Sequence, residues 1–434
     1  MPRHLTRRDF LQTTTAGAAA IASGVWVGGA PAAESRSAND KLNIAIIGVA
    51  NRGAANTGGV RSENIVALCD IDERYLAKAQ EQFPRARTFH DWRKVMDEPG
   101  IDAVVISTAD HHHAPASVAA MRAGKHVYCE KPLAHCVYGA RVVRETFLKS
   151  KVATQMGTQI HAGDNYRRVV ELIRSGAIGP VREAHVWCGR TSSKVERLKG
   201  GASVPAHLHW DLWLGPAPAR EYDPGYLPGN LTWNRWWDFG NGVLGDMGSH
   251  LIDLPYWALD LDHPTTVSAE GPPPHPEANP DWLVCRWEHP AKGDRPAVAL
   301  DWHHGGKRPE SPAGIDLSKW SDGILFIGDK GELVADYGKI ALLPQEKFAD
   351  FQRPEPTIPR SKGHYQEWIH AAKTGEPTTC NFDYSGKLIE NNLLGNVAFR
   401  TGQKLEWNAA ELRVTNTDVA NRYVRKEYRK GWKI

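Results

Sequence analysis

The chain has 434 residues, of which 41% are hydrophobic, so it can bury a large core and form two or three domains. Its formal net charge is only +3, which provides no basic field for nucleic acid. We therefore expect small-molecule partners and no nucleic acid.

The amino-terminal segment 1–33 is typical of an export signal. Arg7 and Arg8 precede a stretch rich in alanine, glycine and threonine, and small residues at 30–33 suit cleavage. We expect twin-arginine export of a folded protein to the periplasm or outside the cell, with residues 34–41 as a linker. A membrane anchor is the alternative, but this run is weakly hydrophobic. No later segment is long and apolar enough to span a bilayer once the signal is removed.

Residues 42–160 alternate between apolar runs and helical patterns, which is typical of a Rossmann domain, a doubly wound parallel sheet. The first apolar run, 42–47, ends in the turn 48–53, and the second, 64–69, ends at Asp70. Further strands are predicted at 102–107, 126–131 and 152–156, and helices from 53 towards 61 and at 72–83, 91–96, 115–123 and 138–150.

The turn after the first strand carries a dinucleotide-binding pattern. Gly48, Ala50 and Gly53 occupy the three positions of the G-x-G-x-x-G fingerprint, with alanine at the second. A helix amino terminus at this turn binds pyrophosphate, and Asp70 would accept hydrogen bonds from ribose hydroxyls. Asp70 favours NAD over NADP, because a carboxylate repels a 2′-phosphate. Arg52 can pair with a phosphate and keeps NADP as the alternative.

Residues 161–434 have a different pattern of apolar and polar residues. This pattern predicts a second domain, α/β with a large, mostly antiparallel open sheet. A helix at 166–175 precedes a run of alternating polarity at 181–188, as in a strand with one exposed face. Further strands are predicted at 281–288, 297–302, 323–328 and 331–336.

Several motifs occur in the order found in one known family. They are Gly48–Gly53, Asp70, Ser107-Thr108, Asp110–His113, Ala123–Val127 leading into Glu130-Lys131-Pro132, and Gly240–His250. With them the chain resembles the glucose-fructose oxidoreductase, inositol dehydrogenase and MocA family, specifically over residues 42–132 and in outline to Arg400. Asn241 departs from the family's usual glycine run.

The resemblance implies a Rossmann domain followed by an α/β domain whose open sheet often serves as an oligomer interface, so we expect a dimer or tetramer. It also implies catalysis by Lys131 with Asp246 and His250. The predicted cofactor-binding residues are Gly48, Ala50, Asn51, Arg52, Gly53, Asp70, Thr108, His111, His113, Glu130 and Lys131.

Asp246 and His250 are four residues apart, so on a helix they share one face. We expect His250 to take a hydroxyl proton while hydride leaves the same carbon for the nicotinamide. Lys131 would hold the developing alkoxide, and Asp246 would orient His250 or a neighbouring hydroxyl. The alternative is that the Asp246/His250 pair only stabilises its helix.

The sixteen tryptophans are expected mostly in the core, with a few as platforms for a sugar ring. The predicted substrate-binding residues are Tyr166, Trp233, Arg235 and Trp236. No metal is expected, because His207-x-His209 and His303-His304 lack a companion acid or cysteine at ligand spacing. The six cysteines show no paired spacing and are expected to be buried free thiols.

The leading functional hypothesis is a NAD(P)-dependent oxidoreductase acting on a secondary hydroxyl of a sugar or glycoside. Its cofactor should stay bound, because the periplasm offers little free nicotinamide. The first alternative is a glycosidase that oxidises a ring carbon transiently, eliminates the aglycone and returns the hydride. The second is a non-enzymatic, cofactor-retaining binding protein, which requires Lys131, Asp246 and His250 to diverge in space.

Overall fold

Two β-sheets, of six and nine strands, organise the part of the chain that the computed structural model describes, residues 40–192, 198–227 and 231–434. The predicted export signal, 1–33, and most of the predicted linker lie outside the described residues. Within the described ranges, no helix combines the length and apolar character needed to cross a bilayer.

The first sheet is parallel throughout and has the strand order β3-β2-β1-β4-β5-β6. Its strands are β1 (Asn43–Ile47), β2 (Asn64–Cys69), β3 (Arg87–Phe89), β4 (Ala103–Ile106), β5 (His126–Cys129) and β6 (Thr154–Met156). The helices between them are α1 (Arg52–Gly59), α2 (Glu73–Gln82), α3 (Trp92–Met96), α4 (Asp110–Arg122) and α5 (Val137–Lys149). The doubly wound Rossmann-type sheet is thus confirmed.

Strand β1 is apolar throughout because the core covers both faces of the sheet. Ile44 and Ile46 pack into one cluster, with Trp368, and Ala45 and Ile47 pack into the other. The chain crosses to opposite faces of the sheet after β1 and after β4, and these two strands are neighbours. A crevice therefore opens at their carboxyl ends, the usual place for a ligand in such a sheet.

The second sheet has the order β13-β12-β11-β7-β10-β9-β8-β14-β15, and only its β7/β10 neighbours are parallel. Its strands are β7 (Val181–Cys188), β8 (Thr266–Glu270), β9 (Leu283–His289), β10 (Val298–His304), β11 (Asp322–Gly328), β12 (Gly331–Ala335), β13 (Ile340–Leu343), β14 (Leu405–Asn408) and β15 (Arg413–Val414). The prediction of a large, mostly antiparallel sheet is confirmed, although β8, β13, β14 and β15 were not predicted individually.

The helices of the second half pack against this sheet and against the first half of the chain. They are α6 (Asp164–Arg174), α7 (Trp210–Leu214), α8 (Gly242–Leu251), α9 (Asp253–Ala258), α10 (His364–Thr374), α11 (Phe382–Thr401) and α12 (Asp418–Val424). Short 3-10 helices lie at Gln159–Ala162, Pro224–Tyr226, Thr232–Arg235, Leu317–Lys319 and Gln345–Phe348. Helix α11 packs against α5, α8 and β8, and so ties the two sheets together.

Candidate active site

The turn between β1 and α1 is built around two glycines that tolerate no side chain. Gly48 has φ +82°, and a Cβ there would lie 2.6 Å from the Ser107 carbonyl oxygen. A Cβ on Gly53 would lie 1.8 Å from the Gly48 oxygen. Asp70 braces the turn, because its carboxylate accepts the Val49 N–H at 2.9 Å. Burial raises the pKa of Asp70.

A cavity of about 510 Å³ opens beside this turn at the carboxyl ends of the parallel strands. Among the predicted residues, its lining includes Gly48, Ala50, Asn51, Arg52, Asp70, Thr108, Glu130, Lys131 and Trp233. Gly53 lies buried beneath them at the start of α1. A side-chain-free cradle at a helix amino terminus, with a carboxylate on the next strand, fits the pyrophosphate and ribose of a dinucleotide.

The prediction that His111 and His113 line this cavity requires correction. The His113 ring contacts the carbonyl oxygens of Pro132 at 2.7 Å and Thr108 at 3.0 Å. The His111 ring contacts the carbonyl of Trp213 at 2.9 Å. Both rings are buried, which lowers their pKa values, and both brace the loops around the site. Of the three histidines at 111–113, His112 is the one that lines the cavity, together with His90 and His207 from other segments.

Glu130 is a buried acceptor that fixes the floor of the site. Its carboxylate accepts from Arg52 at 2.9 Å, from Asn56 at 3.1 Å and from Gln159 at 3.0 Å. Burial alone would raise the pKa of Glu130, but the charges of Arg52 and Lys131 outweigh it and hold that pKa below its usual range. Arg52, which the sequence offered as a phosphate partner, is thus already ion-paired.

Replacing Glu130 by alanine is expected to lower the free energy of unfolding by about 3 kcal/mol, because Asn56 and Gln159 each lose one of two acceptors and Arg52 loses its counter-charge. Urea denaturation measures the change. Glu145→Ala is the matched control, since Glu145 is exposed on α5. Equal losses of stability in the two variants would contradict the role of Glu130.

Lys131, on the lining of this cavity, forms an ion pair with Asp246. The Lys131 Nζ donates to Asp246 Oδ1, and Arg190 donates to Oδ2 at 2.9 Å. Burial alone would lower the pKa of Lys131, but Asp246 and Glu130 outweigh it and raise that pKa. At Asp246, burial alone would raise the pKa, but the charge of Lys131 outweighs this effect and lowers the pKa of Asp246. The two groups are therefore a charged pair, and Arg190 is a member of the site that the sequence did not reveal.

His250 lies one turn beyond Asp246 on α8. Burial and the charge of Lys131 lower the pKa of His250 to about 4, so its imidazole is neutral near pH 7. Tyr166 was predicted to bind substrate, but this is corrected: its side chain is fully buried and its hydroxyl donates to the His250 carbonyl at 3.0 Å. Lys131 and Asp246 converge beside His250, contrary to what the binding-protein alternative required.

Asp110, at the first turn of α4, is a further buried acid of the site. Asn241 donates to its carboxyl at 3.3 Å. Burial raises the pKa of Asp110 to about 8, an effect that Lys131 opposes and Asp246 reinforces. The predicted helix began at Pro115, so Asp110 was placed in a loop. The structure begins the helix five residues earlier and buries this carboxyl within electrostatic reach of the Lys131–Asp246 pair.

A second cavity, of about 270 Å³, adjoins Asp246 and is lined by Arg190, Asn234 and Arg235 among others. Arg235 is therefore well placed for a substrate role. Trp236 is not, and its predicted role is corrected: it is buried in an aromatic cluster, with its ring 5.5 Å from that of Tyr226.

One argument against a metal was wrong. His209 does have a companion acid, since its Nε2 lies 3.2 Å from Glu73, and ligand atoms of Glu73, His90 and His209 lie within 4.8 Å of one another. The His90 and His209 rings stack at 4.0 Å, and this contact and the Glu73 hydrogen bond also hold the group together. The six cysteines are buried free thiols, as predicted.

The fold and the glycine-lined cavity define a NAD-binding oxidoreductase. A sequence model of an oxidoreductase family, described as its NAD-binding Rossmann fold, matches residues 42–158, and the model of its C-terminal alpha/beta domain matches residues 178–301. The chain belongs to this family, named for glucose-fructose oxidoreductase, inositol dehydrogenase and MocA.

Two curated relatives and one solved structure illustrate the likeness. Inositol 2-dehydrogenase 2 of Saccharopolyspora erythraea is 32% identical over 77% of this chain and 86% of its own length. Levoglucosan dehydrogenase of Pseudarthrobacter phenanthrenivorans is 26% identical over 57% of this chain, which spans only 53% of that relative. The structure of GenD2 from gentamicin A biosynthesis in complex with NAD has a TM-score of 0.59 at 19% identity and covers 86% of this chain and 98% of its own. That structure shows a shared fold.

Proposed function

We propose that this protein transfers a hydride between a tightly held nicotinamide cofactor and a secondary hydroxyl of a sugar or glycoside. The observation that carries the proposal is the ion pair between Asp246 and Lys131, which lines the glycine-lined cavity, with the His250 imidazole close enough to feel both charges. The two dehydrogenase relatives, whose names refer to inositol and levoglucosan, support a polyhydroxylated substrate.

When bound, NAD supplies the acceptor or donor of hydride at its nicotinamide ring. Gly48, Gly53 and the start of α1 would hold the pyrophosphate, and Asp70 would accept from the adenosine ribose. This carboxylate favours NAD over NADP. The ion pair between Arg52 and Glu130 supports the same preference, because it removes the cation that a 2′-phosphate would need.

Different residues around the substrate carbon accept the hydroxyl proton and stabilise the alkoxide. His250, neutral near pH 7, accepts the hydroxyl proton as general base. Lys131 donates to the oxygen as it becomes an alkoxide and so stabilises the developing charge. Asp246 holds the Lys131 ammonium in place, and Arg190 fixes the other carboxylate oxygen.

Location and assembly are part of the proposal. The arginine pair before an apolar run supports export by the twin-arginine route, which carries folded proteins and can deliver the cofactor already bound. In the periplasm the cofactor would be recycled in place. The open nine-stranded sheet supports a homo-oligomer, a dimer or a tetramer, formed through that surface.

The glycosidase alternative and the proposed dehydrogenase differ in whether the reaction changes the redox state of the cofactor. It cleaves glycosides without net redox change, whereas a dehydrogenase leaves its cofactor reduced or oxidised. Mass spectrometry of the cofactor released on denaturation, then a screen of sugars and glycosides at about 340 nm, tests both. Aglycone release at constant absorbance would contradict the dehydrogenase. The Lys131–Asp246 pair supports the dehydrogenase, because its lysine can stabilise the alkoxide that hydride transfer requires.

The pH dependence of oxidation follows from two groups. We expect kcat/KM to rise through about pH 4 as His250 loses its proton, and to stay level up to about pH 8. Above that pH, Asp110 ionises and adds negative charge where the alkoxide develops, so the rate falls. Asp110→Asn should abolish the alkaline fall and keep the acidic rise. A variant that retained the alkaline fall would contradict this assignment.

A further inference from the structure

A cavity of about 410 Å³ lies apart from the cofactor cavity, and no residue lines both. We call it the basic cavity, because four cationic side chains line it: Arg400, Arg422, Arg425 and Lys426. His111, His135, Trp237, Tyr423 and Tyr428 complete most of its wall. Its volume suits a ligand the size of a small organic acid or a monosaccharide.

In the part of the chain that the structure describes, the four cations lack a direct carboxylate partner, although Asp238 attracts Arg400 and Lys426 from a distance. None of them forms an ion pair with a carboxylate within residues 40–192, 198–227 and 231–434. Two acids lie on the lining, Asp238 and Glu427. Asp238 is already bound to Arg220, and Glu427 is exposed. Such clustering of like charge is unfavourable unless an anion enters.

Aromatic faces take the place of carboxylates around the arginines. The Arg400 guanidinium lies 4.1 Å from the Tyr423 ring and 4.8 Å from the Trp237 ring. Arg425 lies 4.2 Å from the Tyr138 ring. Stacking of this kind fixes the plane of a guanidinium and leaves its N–H edge for an oxygen acceptor. The arginines are thus pre-positioned for an anion.

Lys426 forms the deepest charged group of the basic cavity. Its Nζ lies 2.9 Å from His135 Nε2 and donates to the Trp237 carbonyl. Burial and the neighbouring Arg400 lower the pKa of Lys426 to about 8. Burial also lowers the pKa of His135, so this ring stays neutral and acts as an acceptor. An anion in the cavity would relieve the repulsion between Lys426 and Arg400.

We propose that the basic cavity binds a small anion with two or more carboxylate or phosphate oxygens. Charge-assisted hydrogen bonds from the arginines would hold it, with aromatic faces around its carbon skeleton. The same segment continues to Trp432, which lines the cofactor cavity and lies 4.1 Å from the Arg93 guanidinium. The anion would therefore anchor the carboxyl-terminal segment whose Trp432 forms part of the cofactor cavity wall.

The test is isothermal titration calorimetry of the protein saturated with NAD, so that the glycine turn is filled before an anion is added. Inorganic phosphate, citrate and glucuronate are titrated separately at constant ionic strength set with NaCl. We expect saturable binding of at least one probe, with a Kd of about 1 mM or below. Phosphate alone, or the carboxylates alone, would identify the source of the oxygens.

Arg422→Gln and Arg425→Gln should each weaken that binding about tenfold. Both residues are exposed, so these variants should fold even if Arg400→Gln does not. Arg182→Gln is the matched control, because Arg182 is an exposed arginine paired with Asp329 and does not line the cavity. The proposal is overturned if no probe binds saturably, or if the Arg422 and Arg425 variants bind as tightly as the control.

Discussion

Replacing Lys131 by methionine is expected to lower kcat for hydride transfer by about 10³-fold while leaving cofactor affinity within a few-fold. Methionine has nearly the length of lysine but cannot donate to the oxygen that becomes an alkoxide. Arg190 still binds Asp246 after the change, at 2.9 Å, so the carboxylate keeps one partner and the turn at Gly48 is untouched. The loss should therefore appear in kcat far more than in cofactor binding.

The measurement combines single-turnover absorbance of the nicotinamide at about 340 nm with mass spectrometry of the bound cofactor. His250→Ala should behave similarly, with a loss of about 10²-fold or more. Lys149→Met is the control, since Lys149 is exposed at the end of α5. Activity of the Lys131 variant within tenfold of the unaltered protein would remove Lys131 from the chemistry.

The edge of the first sheet at which the site forms was predictable from sequence. Parallel strands deliver whatever follows them to one edge, so Gly48, Asp70, Thr108 and Lys131 had to meet once the strands were recognised. The meeting of Lys131 with Asp246 was not predictable from spacing, since 115 positions separate them. The family motif suggested it, and the structure places the two side chains in contact.

The incorrect site predictions concern positions where one residue had to be chosen from several neighbours of the same type. Successive residues of a helix point about 100° apart, so only one of the three histidines at 111–113 faces the cavity. The sequence placed all three beside the turn and named His111 and His113 as cofactor-binding residues, whereas the structure places His112 on the wall. Trp233 and Trp236 differ in the same way, because one lines the cavity and the other packs in the core.

Helix α11 was missed because it is buried on most sides. A helix covered in this way has no polar stripe, so the 3.6-residue alternation that marks a surface helix is absent. Its end signals were present: Asn381 accepts from two backbone N–H groups, and Gly402 ends the helix in the left-handed region. Asp110 and Arg190 were missed for another reason, since the burial of Asp110 and the ion pair of Arg190 with Asp246 depend on distant segments.

Replacing Gly53 by alanine is expected to weaken NAD binding by 100-fold or more. The new Cβ would lie 1.8 Å from the Gly48 carbonyl oxygen, which is backbone and cannot rotate away, so the turn must open. Opening it displaces the first N–H groups of α1 from the pyrophosphate and also strains Gly48, which is wedged against the Ser107 carbonyl. The purified variant should therefore carry little cofactor, as mass spectrometry of the denatured protein would reveal.

Gly58→Ala provides the matched control within the same helix, because a Cβ at Gly58 meets nothing within 4 Å. Alanine there is expected to stabilise the protein by up to about 1 kcal/mol through helix propensity and to leave cofactor content unchanged. The pair thus compares one added methyl group at two glycines of α1, five positions apart. If both variants retained the cofactor equally, the turn at Gly48–Gly53 would not be where the pyrophosphate binds. If both lost it, the loss would reflect the helix rather than the close approach of Gly53 to Gly48.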